Sequence, residues 1–135
     1  MTREEVLQAA RKYLGVPFQH QGRTMYGIDC IGLIVMVAHD LGYTKDDVSD
    51  YGRIPNGRRL MKGLEQYLDH AETPQMGDIM LFKFERIPHH VAFYTGEGLI
   101  HSYEASTKVV EHAMDEYWKT RLIRTYSFKG IQWAS

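Results

Sequence analysis

Along the first half of the chain the apolar positions recur with the period of helices; beyond Pro74 they take up the period of strands. Val6, Ala9, Ala10 and Tyr13 form one stripe. Thr2 and Glu5 lead into it as a T-x-x-E capping box, Gly15 suits its C-terminal cap, and Pro17 forbids continuation. Residues 16–28 read as loop. A second helix is expected from about Cys30 to Leu41, with Ile31, Ile34, Val35, Ala38 and Leu41 on one stripe. Leu33, Met36 and Val37 fill its other faces, so it is expected to be buried nearly all round. "DDVSDYGRIPNG" reads as a surface loop, after which Asn56 can cap a third helix with the stripe Leu60, Leu64, Tyr67 and Leu68. "DIMLFKF", "HVAFYTG" and "LIHSYE" then read as strands, "TKVVEHAM" as a further one, "DEYWKT" as a helical turn and "RLIRTYSF" as a last strand. Helices followed by strands predict an α+β domain over residues 1–135, with an antiparallel sheet packed on N-terminal helices.

Composition narrows the function classes. With 135 residues, 44% apolar and 24% charged, the chain suits one globular domain with a real core. A net charge of −1 supplies no pull toward nucleic acid or an anionic membrane surface. The apolar run Ile31–Ala38 falls far short of the roughly 20 residues that span a bilayer, so no membrane insertion is expected. "MTREEVLQAARKYLG" carries charges where a secretory signal needs an apolar stretch. One cysteine makes no internal disulfide. Synthesis and folding in a cytoplasm are expected.

That cysteine is Cys30. A lone cysteine is most often a small buried hydrophobe, but its setting suits a nucleophile. The first turn of a helix carries unpaired N–H groups and partial positive charge, which favour a thiolate. Asp29 can cap the helix, and Gly32 leaves room beside the sulfur for a substrate backbone. A base is then needed. Of seven histidines, His90 in "HHVAFY" and His101 in "LIHSYE" lie on strands joined by "TGEG". If Tyr94 pairs with Leu99, these two share a face as diagonal neighbours, and His89 points the other way; a bulge or three-residue loop would separate the pair. In that register Cys30 attacks an amide carbonyl, His90 takes the thiol proton and returns it to the leaving amine, and His101 fixes the tautomer of His90. The backbone N–H of Cys30 supplies an oxyanion donor. The alternative is a pair of half-exposed strand histidines. Cys30, His90, His101 and Asp29 lack tight ligand spacing, which argues against zinc. His20 in "PFQHQG" either lines the cleft or is a plain loop residue; His39, His70 and His112 read as structural or exposed.

These segments together resemble a known family. "GIDCIGLI" resembles the D-C-S-G-L element of the NlpC/P60 cysteine peptidases, and "MGDIMLFKF" their G-D-L-x-F-F strand. "HHVAFYTGEGLIHSYE" resembles their H-V-G-I-Y…I-H-A segment, and "ARKYLGVPFQHQG" the upstream A-x-x-x-x-G-x-P-Y element. The resemblance implies a papain-like α+β fold with Cys30, His90 and His101 catalytic and no metal or cofactor. It implies hydrolysis of an amide bond in peptidoglycan stem peptides, most commonly between D-γ-glutamate and a diamino acid. The sequence departs from the pattern at Ile31, where a serine is usual, and at Phe18, where a tyrosine is common. Asp29, Phe18, His20 and Tyr26 are the expected cleft or oxyanion supports, with Tyr26 or His20 standing in for the missing tyrosine.

"PFQHQG", "GIDCIGL" and "EYWKTRLIR" look like the subgroup carried in phage tails and gene transfer agents. That likeness implies tail-tip or hub partners and a virion location, with action at the cell wall during genome delivery. The competing expectation is a catalytically weak tail component that keeps the fold. Loop 46–59 would be a lid, a docking surface or a solvated loop.

Overall fold

The computed structural model describes residues 1–47 and 57–133. Most of "DDVSDYGRIPNG", including the expected cap Asn56, lies outside the described residues.

Helix α1 spans Arg3–Arg11 and begins in the capping box: Thr2 Oγ1 accepts from Glu5 N at 3.1 Å, and Glu5 Oε1 accepts from Thr2 N at 3.2 Å. The loop after it contains a short hairpin, β1 (Arg23–Thr24) and β2 (Gly27–Ile28), which leads into α2 (Cys30–Asp40). Two-residue strands carry too little periodicity to be seen in sequence. Helix α3 (Gly57–Tyr67) runs directly into β3 (Leu68–His70), so Leu68 ends its predicted stripe as a strand residue.

Strands β4 (Ile79–Phe84), β5 (Ile87–Tyr94), β6 (Gly98–Tyr103), β7 (Lys108–Ala113) and β8 (Leu122–Phe128) complete a six-stranded antiparallel sheet in the order β3-β8-β4-β5-β6-β7. A four-residue helix, α4 (Glu116–Lys119), precedes β8. The expected α+β arrangement of helices on a C-terminal antiparallel sheet is the one observed.

The sheet buries both faces, which is why β4 reads as an unbroken apolar run rather than an alternating one. On one face Ile79, Leu81, Val91, Phe93 and Ile100 pack with Val6, Ala10, Leu33 and Val37 of α1 and α2. On the other, Met80, Phe82, Ala92 and Leu99 pack under Trp118 of α4. The buried side of α2 is Leu33, Ile34, Val37 and Ala38, rotated from the expected stripe because Ile31 turns toward the cleft. Arg3 and Asp78 pin α1 to the sheet with a buried ion pair at 2.7 Å. Ser127 Oγ (2.5 Å) and the backbone N–H of Gln75 (2.9 Å) also donate to Asp78, so this buried carboxylate has hydrogen-bond partners on both oxygens.

Candidate active site

Cys30 is the first residue of α2, and Asp29 is its N-cap. Asp29 Oδ1 accepts from Gly32 N at 2.7 Å and from Arg23 Nη1 at 3.2 Å; Oδ2 accepts from Gln21 N at 2.7 Å. One carboxylate therefore caps the helix and ties the preceding loop to it. Ser102, wholly buried in β6, donates from Oγ to Ile28 O at 2.7 Å. This bond joins the strand carrying His101 to the segment carrying Cys30. Gly32 does not leave space for a substrate, contrary to the expectation above. A Cβ there would lie 2.4 Å from Gly22 O and 2.9 Å from Ile28 Cγ1, so the room is filled by the protein's own loop.

The hairpin of β5 and β6 has the register on which the histidine pairing depends: Tyr94 pairs with Leu99 and Phe93 with Ile100. His90 Nε2 lies 2.5 Å from His101 Nδ1. On its other side His90 pairs with Phe82 of β4, and the ladder then shifts so that Lys83 meets Pro88. The bulge leaves His89 over. It does not point away as expected; it lines the same cleft as His90, because a bulge breaks the alternation of faces.

The contacts continue beyond the pair. His101 Nε2 lies 2.7 Å from His112 Nε2, and His112 Nδ1 lies 2.9 Å from Ala113 O. Trp118 packs against all three rings, with centroids 5.6 Å from His90, 4.9 Å from His101 and 5.9 Å from His112. His112, read from sequence as structural or exposed, is half-buried and bonded to His101, because β6 and β7 pair Leu99 with His112 and His101 with Val110. The three histidines recur 11 residues apart on successive strands, a signal readable only once the third register is known.

Cys30 and His90 line one cleft of about 440 Å³ with Phe18, His20, Asp29 and Ile31. Phe84, Tyr103 and Tyr117 also line it. Phe18, His20 and Asp29 are thus at the cleft, as expected. Tyr26 is not: it sits beyond β1 at the hairpin tip, 90% exposed, and cannot replace a hydroxyl at the site. The Phe18 position carries no hydroxyl either, so among aromatic groups the cleft's polar contacts fall to the histidines, Tyr103 and Tyr117.

Burial governs the charges. The Cys30 thiol is pushed up to about 12, first by burial and then by the Asp29 carboxylate; the backbone amides of Val91, Ile31 and Cys30 itself offset only part of this. A helix start alone therefore does not make a thiolate here. Burial, with the neighbouring histidines, holds His90 well below the ordinary histidine range. His101 is held down to about 3, by burial first and His112 second. Neither Cys30 nor His90 carries charge by itself.

Comparison with known proteins gives a consistent picture. The profile of the NlpC/P60 family matches residues 15–127. Dipeptidyl-peptidase 6 of Lysinibacillus sphaericus is 30% identical over 115 residues, 84% of this chain and 37% of that protein. The γ-D-glutamyl-L-lysine dipeptidyl-peptidase of Bacillus subtilis (strain 168) is 27% identical over 106 residues, 75% of this chain and 32% of that protein. The chain spans about a third of the length of these relatives. An NlpC/P60 family protein from Bacillus cereus ATCC 10987 superposes with a TM-score of 0.74 at 21% identity, covering 95% of this chain and 40% of that one. The NlpC/p60 domain of peptidoglycan hydrolase SagA gives 0.67 at 19%, covering 95% and 100%. With the fold shared and the profile running through Cys30, His90 and His101, the chain belongs to the NlpC/P60 family.

Proposed function

We propose that this chain is a thiol-dependent amidohydrolase of peptidoglycan stem peptides, with Cys30 as nucleophile, His90 as base and His101 as the residue that orients His90. The observation that carries the reading is the meeting of Cys30 and His90 in one cleft, with His90 held through Nε2 by His101 at 2.5 Å. Relatives named for γ-D-glutamyl-L-lysine dipeptidyl-peptidase activity and for peptidoglycan hydrolysis support the substrate class.

In this reading the sulfur attacks the amide carbonyl as His90 accepts the thiol proton. The carbonyl oxygen becomes an oxyanion facing the backbone N–H at the start of α2. Collapse breaks the C–N bond, and His90 hands its proton to the leaving amine. Water, deprotonated by His90, then attacks the thioester; the carboxylate leaves and the thiol is restored. Because both partners rest neutral, the proton moves with the attack rather than before it.

The motifs "PFQHQG", "GIDCIGL" and "EYWKTRLIR" support a finer proposal, that the enzyme works in a phage-type tail tip against the wall of the next cell, alongside tail or hub proteins. Purified stem tetrapeptide, incubated with the wild type, Cys30→Ala and His90→Ala and followed by mass spectrometry, tests the activity. One amide bond is expected to be cleaved by the wild type and by neither variant. Intact peptide with the folded wild type, or equal cleavage by Cys30→Ala, overturns the reading.

A further inference from the structure

We propose that His112 is a positioning residue for the Cys30–His90 pair: anchored on the Ala113 carbonyl, it dictates the tautomer of His101 and, through it, that of His90. The inference rests on the reading of His90 as the base.

Donors and acceptors alternate along a single line of contacts. Ala113 O only accepts, so His112 Nδ1, 2.9 Å away, carries a hydrogen. A neutral His112 then has its lone pair at Nε2. The 2.7 Å contact to His101 Nε2 needs one hydrogen, which must come from His101. His101 is buried and neutral, so its Nδ1 is the acceptor. The 2.5 Å contact to His90 Nε2 therefore takes its hydrogen from His90. A neutral His90 is left with a bare Nδ1, the one nitrogen not engaged by His101 and the one available to accept the thiol proton. Each link admits one arrangement, and a fixed backbone carbonyl sets the first.

Without His112 the line loses its direction. His101 is fully buried, and its Nε2–H would have no acceptor. Moving that hydrogen to Nδ1 removes the unpaired donor but turns His101 into a donor toward His90 Nε2. His90 then carries its hydrogen on Nδ1 and presents an N–H, not a lone pair, to Cys30. A histidine held in the wrong tautomer keeps its place and loses its function as a base. Trp118 packs against all three rings, edge-on to His101 and tilted to His90 and His112, but it supplies no acceptor in the line.

The test reads the tautomer directly. Long-range proton–nitrogen correlation spectra of uniformly ¹⁵N-labelled protein, at a pH where the histidines are neutral, report which nitrogen of His90 is protonated. The wild type is expected to show His90 protonated at Nε2. In His112→Phe the Nδ1-protonated form is expected to appear. His112→Gln, whose amide oxygen can accept from His101 Nε2–H, is expected to restore the wild-type signature. On stem tetrapeptide, His112→Phe is expected to lower kcat by about tenfold or more with KM little changed, the scale on which removing a partner that orients a functional histidine acts; His112→Gln recovers most of it. A wild-type His90 protonated at Nδ1 overturns the proposal, and so does an unaltered His90 tautomer in folded His112→Phe. If His112→Phe fails to fold, the wild-type and His112→Gln spectra still decide it. If no variant cleaves the peptide while the tautomers behave as described, the substrate reading fails and the positioning role stands.

Discussion

At the residue scale, the site is set by a few atoms whose replacement has a definite sign. Gly32 lies inside α2, where alanine would ordinarily favour the helix by about 1 kcal/mol. Here an added Cβ would meet the Gly22 carbonyl at 2.4 Å, so Gly32→Ala is expected to lower the melting temperature; a rise would mean the loop yields freely. Ser102→Ala removes the hydroxyl that holds Ile28 O and leaves the Gln19 N–H as that carbonyl's remaining donor, at a cost of about 0.5–1.5 kcal/mol. Because this bond fixes β6 against the start of α2, kcat is expected to fall along with denaturation midpoint; a stability loss with unchanged kcat would remove Ser102 from the site's scaffold. The meeting of Cys30, His90 and His101 is legible in sequence because a helix start and a hairpin register are local signals. The contact of His101 with His112 is not, since it depends on a second register, and sequence does not say which way a two-residue hairpin turns Tyr26 at its tip.

At the element scale, the β4–β5 turn is the clearest departure from what sequence signals. Glu85 (φ 50) and Arg86 (φ 71) both sit in the left-handed region between Phe84 and Ile87, which pair. A two-residue hairpin with both central residues left-handed usually advertises itself as Asn-Gly. This chain has Glu-Arg there, which hid the first residues of β5 from a propensity reading. Arg86→Gly relieves the strain of an L side chain at positive φ and is expected to stabilise the fold by about 0.5–1 kcal/mol, read from urea denaturation. No gain would show that the folded hairpin does not hold Arg86 in that conformation. The capping box was the opposite case: a T-x-x-E signal with no long-range dependence, found in place at α1.

At the scale of the whole molecule, burying neutral histidines ties stability to pH. His101 titrates near 3 in the folded chain and near 6.5 when exposed, with His90 depressed in the same direction. The unfolded chain therefore binds more protons between these values. The stability these groups contribute is present above about 6.5 and is lost as pH falls toward 3. Thermal melts from pH 7 to 4 are expected to show a steep fall that His101→Asn, having no titrating ring, flattens; equal slopes would place the acid sensitivity elsewhere. The α+β class was readable because helical and strand periods occupy separate halves of the chain. Strand order was not, since β8 inserts between β3 and β4 and no local pattern encodes that pairing.

In the proposed reading Cys30 and His90 work as one unit, in which a half-buried thiol becomes reactive only by passing its proton to the imidazole. The most direct test is the rate of Cys30 alkylation by iodoacetamide at pH 7, in the wild type and in folded His90→Ala. The wild type is expected to react more than about tenfold faster, since the base that accepts the thiol proton is present. His90→Ala is expected to react appreciably only in strongly alkaline solution, where a half-buried thiol raised to about 12 and left without a base begins to ionise. Equal rates at pH 7 would mean that His90 does not take the Cys30 proton, and would contradict the account.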